Sequence, residues 1–144
     1  MCIRDRAIEY TLEGQKMGVL SIKNPHAVII LKNIDQEDIE DTATKLQNSN
    51  YFPESVNVGF MQILDRNEIN LRVIERGVGE TLACGSGACA AVIHGIQLGL
   101  LEDKVKVNLK GGDALVEYYG DAVYLSGPGE FVYEGTVNLR SGSS

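Results

Sequence analysis

The stretch CGSGACAAVIHGIQL, residues 84–98, decides how this chain folds. From Gly87 to Leu98 it is apolar on almost every side, with only His94 and Gln97 polar. A helix of that kind has no polar face to turn towards water and must be buried. Gly99 follows it as a C-terminal cap. The pattern therefore predicts one central buried helix, around which the remaining elements have to pack.

Cys84 stands at the predicted entrance of this helix. A helix N-terminus leaves backbone N–H groups unpaired and carries about half a positive charge, so it stabilises a thiolate and lowers the pKa of a thiol. Glycines let a ligand approach the backbone closely, and the amides of Gly85 and Ser86 can hold a carboxylate. The segment therefore predicts both a base and a site for an anion.

Extended runs with alternating polarity surround the helix. Residues 19–31 predict two strands that are interrupted at Asn24-Pro25. The other predicted strands cover 56–64, 68–75, 104–109, 114–119, 122–126 and 131–139, with the turn of a hairpin at 65–67. These elements predict an α+β fold, in which a strongly curved, mostly antiparallel, barrel-like sheet wraps round the buried helix.

A second helix is predicted on the surface over residues 35–48. Asp35 is its expected N-cap, and Ile34 and Ile39 are expected to form a hydrophobic staple across that cap. Ile39, Ala43 and Leu46 continue one apolar stripe that predicts the buried side of this helix.

Composition narrows the classes of partner. The chain has 144 residues, 44% of them hydrophobic, which suits a single domain with a core. A net charge of −7 argues against binding nucleic acid or an anionic membrane surface, so a small soluble partner is expected.

The sequence also predicts where the protein is located and the state of its thiols. No apolar run is long enough to span a membrane, and residues 1–6 lack the apolar core of a signal peptide, so a cytoplasmic location is expected. Three cysteines, two histidines and no Cys-x-x-Cys pair predict reduced thiols and no metal site.

A charged pair lies shortly before the thiol. Arg76 is suited to bidentate binding of a carboxylate, and Glu75 to an ammonium group. With the amides of Gly85 and Ser86 as a second carboxylate site, Cys84 would lie beside the α carbon of an amino acid and could remove its proton.

Each of these features also has a purely structural interpretation. Cys84 could be an inert core thiol, which is the interpretation that we prefer for Cys89 inside the helix. Glu75-Arg76 could be a solvated ion pair, Asn57 a structural amide, and Asn24-Pro-His26 only a turn.

The order of the motifs resembles that of the diaminopimelate epimerases. The resemblance covers residues 19–139, and its most specific part is the segment ERGVGETLACGSGACAA, residues 75–91. It also rests on 24–28, 56–58, Asp65-Arg66, 111–113, 126–128 and 132–135.

The resemblance implies an enzyme without pyridoxal or any other cofactor, which interconverts LL- and meso-diaminopimelate in lysine biosynthesis. In that family two cysteines face the α carbon from opposite sides, one taking a proton and the other giving one. The positions that this implies for catalysis are Cys84, Glu75 and His26. Those implied for substrate binding are Asn24, Asn57, Glu75, Arg76, Gly85 and Ser86.

Members of the family are built of two similar halves, each with its own cysteine, and this chain has one such segment. We therefore expect residues 7–139 to be a single C-terminal half, with a non-family leader at 1–6 and a tail at 140–144. Residues 131–139 would pair with the missing half, and Tyr133 resembles a contact of the family's homodimer. Without the second cysteine, the half on its own is expected to be inactive.

Three other functions remain open at the level of sequence. A proline or hydroxyproline racemase or epimerase shares the two-cysteine chemistry. A cysteine hydrolase would use Cys84 with a histidine, and His26 is the candidate because His94 lies about 15 Å further along the same helix. A noncatalytic module that binds amino acids would need no reactive thiol.

Overall fold

The computed structural model describes residues 8–12, 15–22, 24–35, 38–81, 85–120, 122–127 and 130–136. Within these ranges the chain forms ten strands and two helices. In chain order they are β1 Ile8–Leu12, β2 Gln15–Ile22, β3 Asn24–Ile30, α1 Ile39–Gln47, β4 Asn57–Asp65, β5 Glu68–Glu75, β6 Gly79–Thr81, α2 Gly85–Gln97, β7 Lys104–Leu109, β8 Gly112–Tyr118, β9 Ala122–Gly127 and β10 Glu130–Thr136.

All ten strands belong to one sheet. Its order is β1-β2-β3-β4-β5-β7-β8-β9-β10, and the short β6 pairs with β5 beside this path. Neighbouring strands are antiparallel except for β3 with β4 and β5 with β7. The predicted mostly antiparallel sheet is therefore confirmed. In each of the two parallel pairs, the chain forms a helix between the first strand and the second, α1 between β3 and β4 and α2 between β5 and β7.

The sheet curls round α2. This helix contacts β2, β3, β4 and β5 on one side and β8 and β9 on the other, so strands that lie far apart in the sheet pack against the same helix. Every residue from Gly87 to Gly95 is buried. The predicted central helix and the half-barrel around it are confirmed.

The C-terminal end of α2 has the predicted glycine cap. Gly99 has a φ of +79°, and the N–H groups of Gly99 and Leu100 donate to the carbonyls of Ile96 and Gly95, each at 2.9 Å. This is the Schellman arrangement. Arg66, in the turn between β4 and β5, donates from Nη1 to the carbonyl of Gly99 at 3.1 Å. The hairpin therefore holds the end of the helix.

Helix α1 covers the other face of the sheet. Its buried residues are Ile39, Ala43 and Leu46, as the apolar stripe predicts, and they pack with Phe60 of β4. On β7, the face of the sheet that is turned away from α2 is polar, with Lys104 and Lys106 both exposed. The central strands β3 and β4 thus lie between α2 and α1, and they position the residues described below.

The start of α1 differs from the prediction. The helix begins at Ile39 after Asp38, so Asp35 is not its N-cap and the staple between Ile34 and Ile39 is wrong. The side chain of Asn33 accepts a hydrogen bond from the N–H of Asp35 at 2.9 Å. This closes a local turn that competes with helix formation. Ile34 and Ile39 are still both buried in the core beneath α1.

Smaller differences concern the strand ends. β8 begins at Gly112, two residues before the prediction, because Gly112 pairs with Leu109 across the turn. β10 covers 130–136 and pairs with β9, while its other edge is one end of the sheet among the described residues. Its pairing with a second half stays a prediction. The predicted leader 1–6 and tail 140–144 lie outside the described residues.

Candidate active site

Strand register brings three of the predicted site residues to one edge of the sheet. His26 near the start of β3 pairs with Asn57 at the start of the parallel β4. β4 is antiparallel to β5, and Val58 pairs with Ile74, so Glu75 at the end of β5 comes next to Asn57. Residues that are far apart in the sequence therefore meet where two strands begin and one ends.

The same three side chains point towards α2. Val28, Met61 and Val73 belong to the core that surrounds this helix. Side chains alternate between the faces of a strand, so an even number of residues along each strand returns to the same face. His26, Asn57 and Glu75 lie at such even separations and therefore share the α2 face. Asn24, two residues before His26, is an exposed residue at the same edge.

Asn57 fixes the backbone at the end of β5. Only 6% of it is exposed, and its Oδ1 accepts a hydrogen bond from the N–H of Arg76 at 3.0 Å. The chain then reverses through Gly77 and Gly79, whose φ angles of +75° and +100° suit glycine. Asn57 thus has a structural contact, and the side chain of Arg76 is left exposed at the turn.

His26 is a buried, neutral imidazole at pH 7. It is 1% exposed, and burial lowers its pKa from 6.5 to about 4, although a backbone hydrogen bond at Ile22 and the nearby carboxylate of Glu75 act in the opposite direction. Its Nε2 has no hydrogen-bond partner among the described residues. The bond to Ile22 therefore belongs to Nδ1, which leaves Nε2 with the lone pair that can accept a proton or a hydrogen bond.

Helix α2 begins four residues after the last residue of β6. Gly85 is the first residue of the helix, and a Cβ there would come within 2.8 Å of the end of the Leu125 side chain on β9, so a larger residue would require Leu125 to move. Ser86 is half-buried. Cys84, with 82 and 83, lies outside the described residues. Cys89 is fully buried, which supports the prediction that it is inert.

Comparison with known sequences identifies the family of this chain. The sequence model of the Diaminopimelate epimerase family matches residues 18–132. The chain belongs to the diaminopimelate epimerase family. The match begins within β2 and extends past β9, and so it contains every strand that carries a candidate site residue.

Curated diaminopimelate epimerases are similar over nearly the whole chain. The enzyme of Vesicomyosocius okutanii subsp. Calyptogena okutanii is 53% identical over 131 residues, which are 90% of this chain and 48% of the relative. The enzyme of Nitrosomonas europaea is 44% identical over 142 residues, which are 94% of this chain and 52% of the relative. The chain therefore spans about half the length of the curated relatives that it matches.

Solved structures show the same fold at low identity. A protein of the phenazine biosynthesis PhzF family from Enterococcus faecalis superposes with a TM-score of 0.58 and 18% identity, covering 71% of this chain and 36% of that one. The PhzF family protein of Bacillus anthracis gives 0.57 at 18% identity, covering 83% of this chain and 39% of that one. These likenesses support the half-barrel round a central helix.

Sequence reasoning missed two polar features of this family member. Arg72 on β5 and Glu80 on β6 form a bidentate ion pair on the face of the sheet opposite α2. Thr81 lies on the α2 face, because it pairs with Val73, and its buried hydroxyl has no hydrogen-bond partner among the described residues. Charged residues alternating along a strand ordinarily indicate a solvent-facing side, so nothing in the pattern singled out Arg72.

The described ranges contain neither a metal-binding cluster nor a helix that could cross a membrane. No cluster of three or more histidine, cysteine or acidic residues could hold a metal ion in the part of the chain that is described. None of the helices there has the length and apolar character that crossing a bilayer requires.

Proposed function

We propose that this chain supplies one side of the active site of a diaminopimelate epimerase, with Cys84 as one of its two proton-transferring thiols. The observation that carries the proposal is the meeting of His26, Asn57 and Glu75 on the α2 face of the sheet, at the edge where β6 leads into the helix. Family membership supports the assignment, since the match over residues 18–132 includes these positions.

Each candidate residue has a role that its chemistry allows. The backbone amides of Gly85 and Ser86, at the start of α2, would bind the carboxylate of the reacting centre. Asn24, Arg76 and Glu75 would bind the remaining charged and polar groups of the substrate. Asn57 would act partly through the backbone of Arg76, to which it is bonded.

The proposed reaction is a proton exchange without a cofactor. The Cys84 thiolate takes the α proton from one face of the carbon, and the second cysteine gives a proton to the opposite face, or the reverse. The electron pair left on carbon is stabilised by donors to the carboxylate. The neutral His26, with Nε2 as a lone-pair acceptor beside Glu75, would help to set which thiol is ionised.

A weakly acidic α proton requires a closed site. A thiolate removes it at a useful rate only where water is excluded and the developing charge meets fixed donors. We therefore propose that the 144-residue chain alone gives no useful epimerase turnover, and that the second cysteine comes from the half of the relatives that this chain does not match. A cytoplasmic homodimer with Tyr133 in its contact is proposed on the family resemblance.

Complementation tests this proposal. The chain is mixed with the part of the Nitrosomonas europaea relative that it does not match, and the interconversion of LL- and meso-diaminopimelate is followed by chiral chromatography. Activity is expected in the mixture, not in either half alone, and it should disappear with Cys84→Ala. Equal activity of the Cys84→Ala mixture would overturn the proposal.

The same mixture separates the other functions. A proline or hydroxyproline enzyme would act on those substrates in preference to diaminopimelate. A cysteine hydrolase would accumulate a covalent acyl adduct on Cys84, which is visible by mass spectrometry. A binding module would bind diaminopimelate equally well with cysteine, serine or alanine at position 84 and would catalyse no exchange.

A further inference from the structure

Gln47, the last residue of α1, is bonded to the strand that carries Glu75. Its Nε2 donates to the carbonyl oxygen of Ile74 at 3.0 Å. Ile74 is only 4% exposed, and its side chain belongs to the core beneath α1. The side chain of Gln47 therefore connects the outer helix to the peptide group that immediately precedes Glu75.

The peptide group that follows Glu75 is held as well. Its N–H, which belongs to Arg76, donates to Oδ1 of Asn57 at 3.0 Å, and its carbonyl accepts from the N–H of Val78 at 3.2 Å. A peptide group is planar, so the two planes on either side of a Cα atom fix the φ and ψ of that residue. Both planes together set the direction of the Cα–Cβ bond of Glu75, and Gln47 holds the first of them.

The pKa of His26 reports where the Glu75 carboxylate lies. Burial lowers this pKa to about 4, and the hydrogen bond at Ile22 and the negative charge of Glu75 act against it. Coulomb energy falls with distance, so the contribution of Glu75 shrinks if its carboxylate moves away from the imidazole. A displaced carboxylate would therefore be detected as a lower pKa of His26.

We propose that Gln47 positions the Glu75 carboxylate in the candidate site, by holding the peptide group between Ile74 and Glu75. Gln47 is a positioning residue, because α1 lies on the face of the sheet opposite that site. The inference rests on the proposed function of Glu75. It adds that the outer helix α1 contributes to the arrangement of the site through one hydrogen bond.

The test is the pKa of His26 in the 144-residue chain, followed by NMR of the histidine ring from pH 7 to pH 5. With a pKa of about 4, about a tenth of His26 is protonated at pH 5, which is enough to determine the value. Gln47→Met keeps the length and the helix propensity of the side chain but removes the donor. It should lower the pKa of His26 by about 0.3–0.5, which is about a two- to threefold change in the acid dissociation constant.

Thr44→Val is the matched control on the same helix. The hydroxyl of Thr44 donates to the carbonyl of Glu40 at 2.8 Å, so this variant also loses a bond from a side chain to a carbonyl, but one that stays within α1. It should leave the pKa of His26 unchanged. Equal decreases in Thr44→Val and Gln47→Met would show a general loosening of α1 and overturn the proposal.

The double variant of Gln47→Met with Glu75→Gln separates the carboxylate from other effects. Glu75→Gln alone should lower the pKa of His26, because it removes the nearby negative charge. Gln47→Met should then produce no further decrease, since the charge that it displaces is already absent. A further decrease in the double variant would overturn the proposal.

A second variant serves if Gln47→Met does not fold. Gln47→Glu keeps the length of the side chain and, when ionised, has no donor. Its added negative charge would by itself raise the pKa of His26. A decrease in this variant therefore supports the proposal, and an unchanged or higher value overturns it.

The proposed function fails by a different result. If Gln47→Met lowers the pKa of His26 but the mixture with the unmatched half of the Nitrosomonas europaea relative has no epimerase activity, the proposed function is wrong and the positioning of Glu75 stands. If the mixture is active and the pKa of His26 is the same in the wild type and in Gln47→Met, this inference alone is wrong.

Discussion

Acid should destabilise this fold through His26, beginning at a pH where ordinary carboxylates are still mostly ionised. The folded chain binds a proton at His26 with a pKa of about 4, against 6.5 for an unperturbed imidazole. Between these values the unfolded chain binds more protons than the folded one, so the free energy of unfolding rises with pH. Stability is therefore lost as pH falls from 6.5 towards 4.

The size of the effect follows from the difference between the two pKa values. With one pKa unit worth about 1.4 kcal/mol, the His26 contribution to the loss is about 2 kcal/mol at pH 5 and about 3 kcal/mol at pH 4. Only 1% of His26 is exposed, so solvent screens this effect little. For a domain of this size, such a loss is a large part of the whole free energy of unfolding.

Urea unfolding at pH 7, 6, 5 and 4, followed by circular dichroism, measures this loss. His26→Gln is the control, because it keeps every carboxylate and His94 but removes the titrating group. The wild type should lose about 2 kcal/mol more than His26→Gln between pH 7 and pH 5. Parallel pH profiles for the two chains would refute the assignment of a buried, neutral His26.

Three further predictions concern packing and are tested by thermal or urea unfolding. Gly18→Ala places a Cβ against the ring of His94 and should lower the free energy of unfolding by about 1–3 kcal/mol. The matched control Gly59→Ala should lower it less, because the side-chain atom nearest to its new Cβ lies at an ordinary 3.5 Å. Equal losses in the two variants would contradict the close approach of β2 to α2. Gly99→Ala forces a side chain into a φ of +79° and should cost about 1 kcal/mol, and a neutral effect would contradict the cap. Leu46→Ala should cost about 2–5 kcal/mol if α1 is firmly packed, and a loss below 1 kcal/mol would show that it is not.

Much of the architecture was predictable because the sequence patterns are strong. The apolar run after Gly87 and the hairpin round Asp65 each allow one interpretation, and both were confirmed. The start of α1 was wrong because the side chain of Asn33 forms a local turn that outweighs the capping signal at Asp35. Both the turn and the cap are local hydrogen bonds from short polar side chains to nearby backbone groups, and the sequence pattern does not rank them.

The candidate site was predictable in its residue types and less so in its arrangement. Motif order identified His26, Asn57 and Glu75, but only strand register shows that they share one edge and one face. The Arg72–Glu80 pair was missed because two residues on different strands meet through tertiary structure, and alternation along a strand indicates a face without naming its partner.

The most direct test of the central claim is proton exchange at the α carbon. Diaminopimelate in deuterated water is incubated with this chain and the unmatched half of the Nitrosomonas europaea relative, and the α-proton signal is followed by NMR. We predict that LL-diaminopimelate is converted into the meso form with deuterium at the inverted α carbon, and that this inversion is lost in the Cys84→Ala mixture. Inversion that persists without the Cys84 thiol would contradict the two-thiol mechanism.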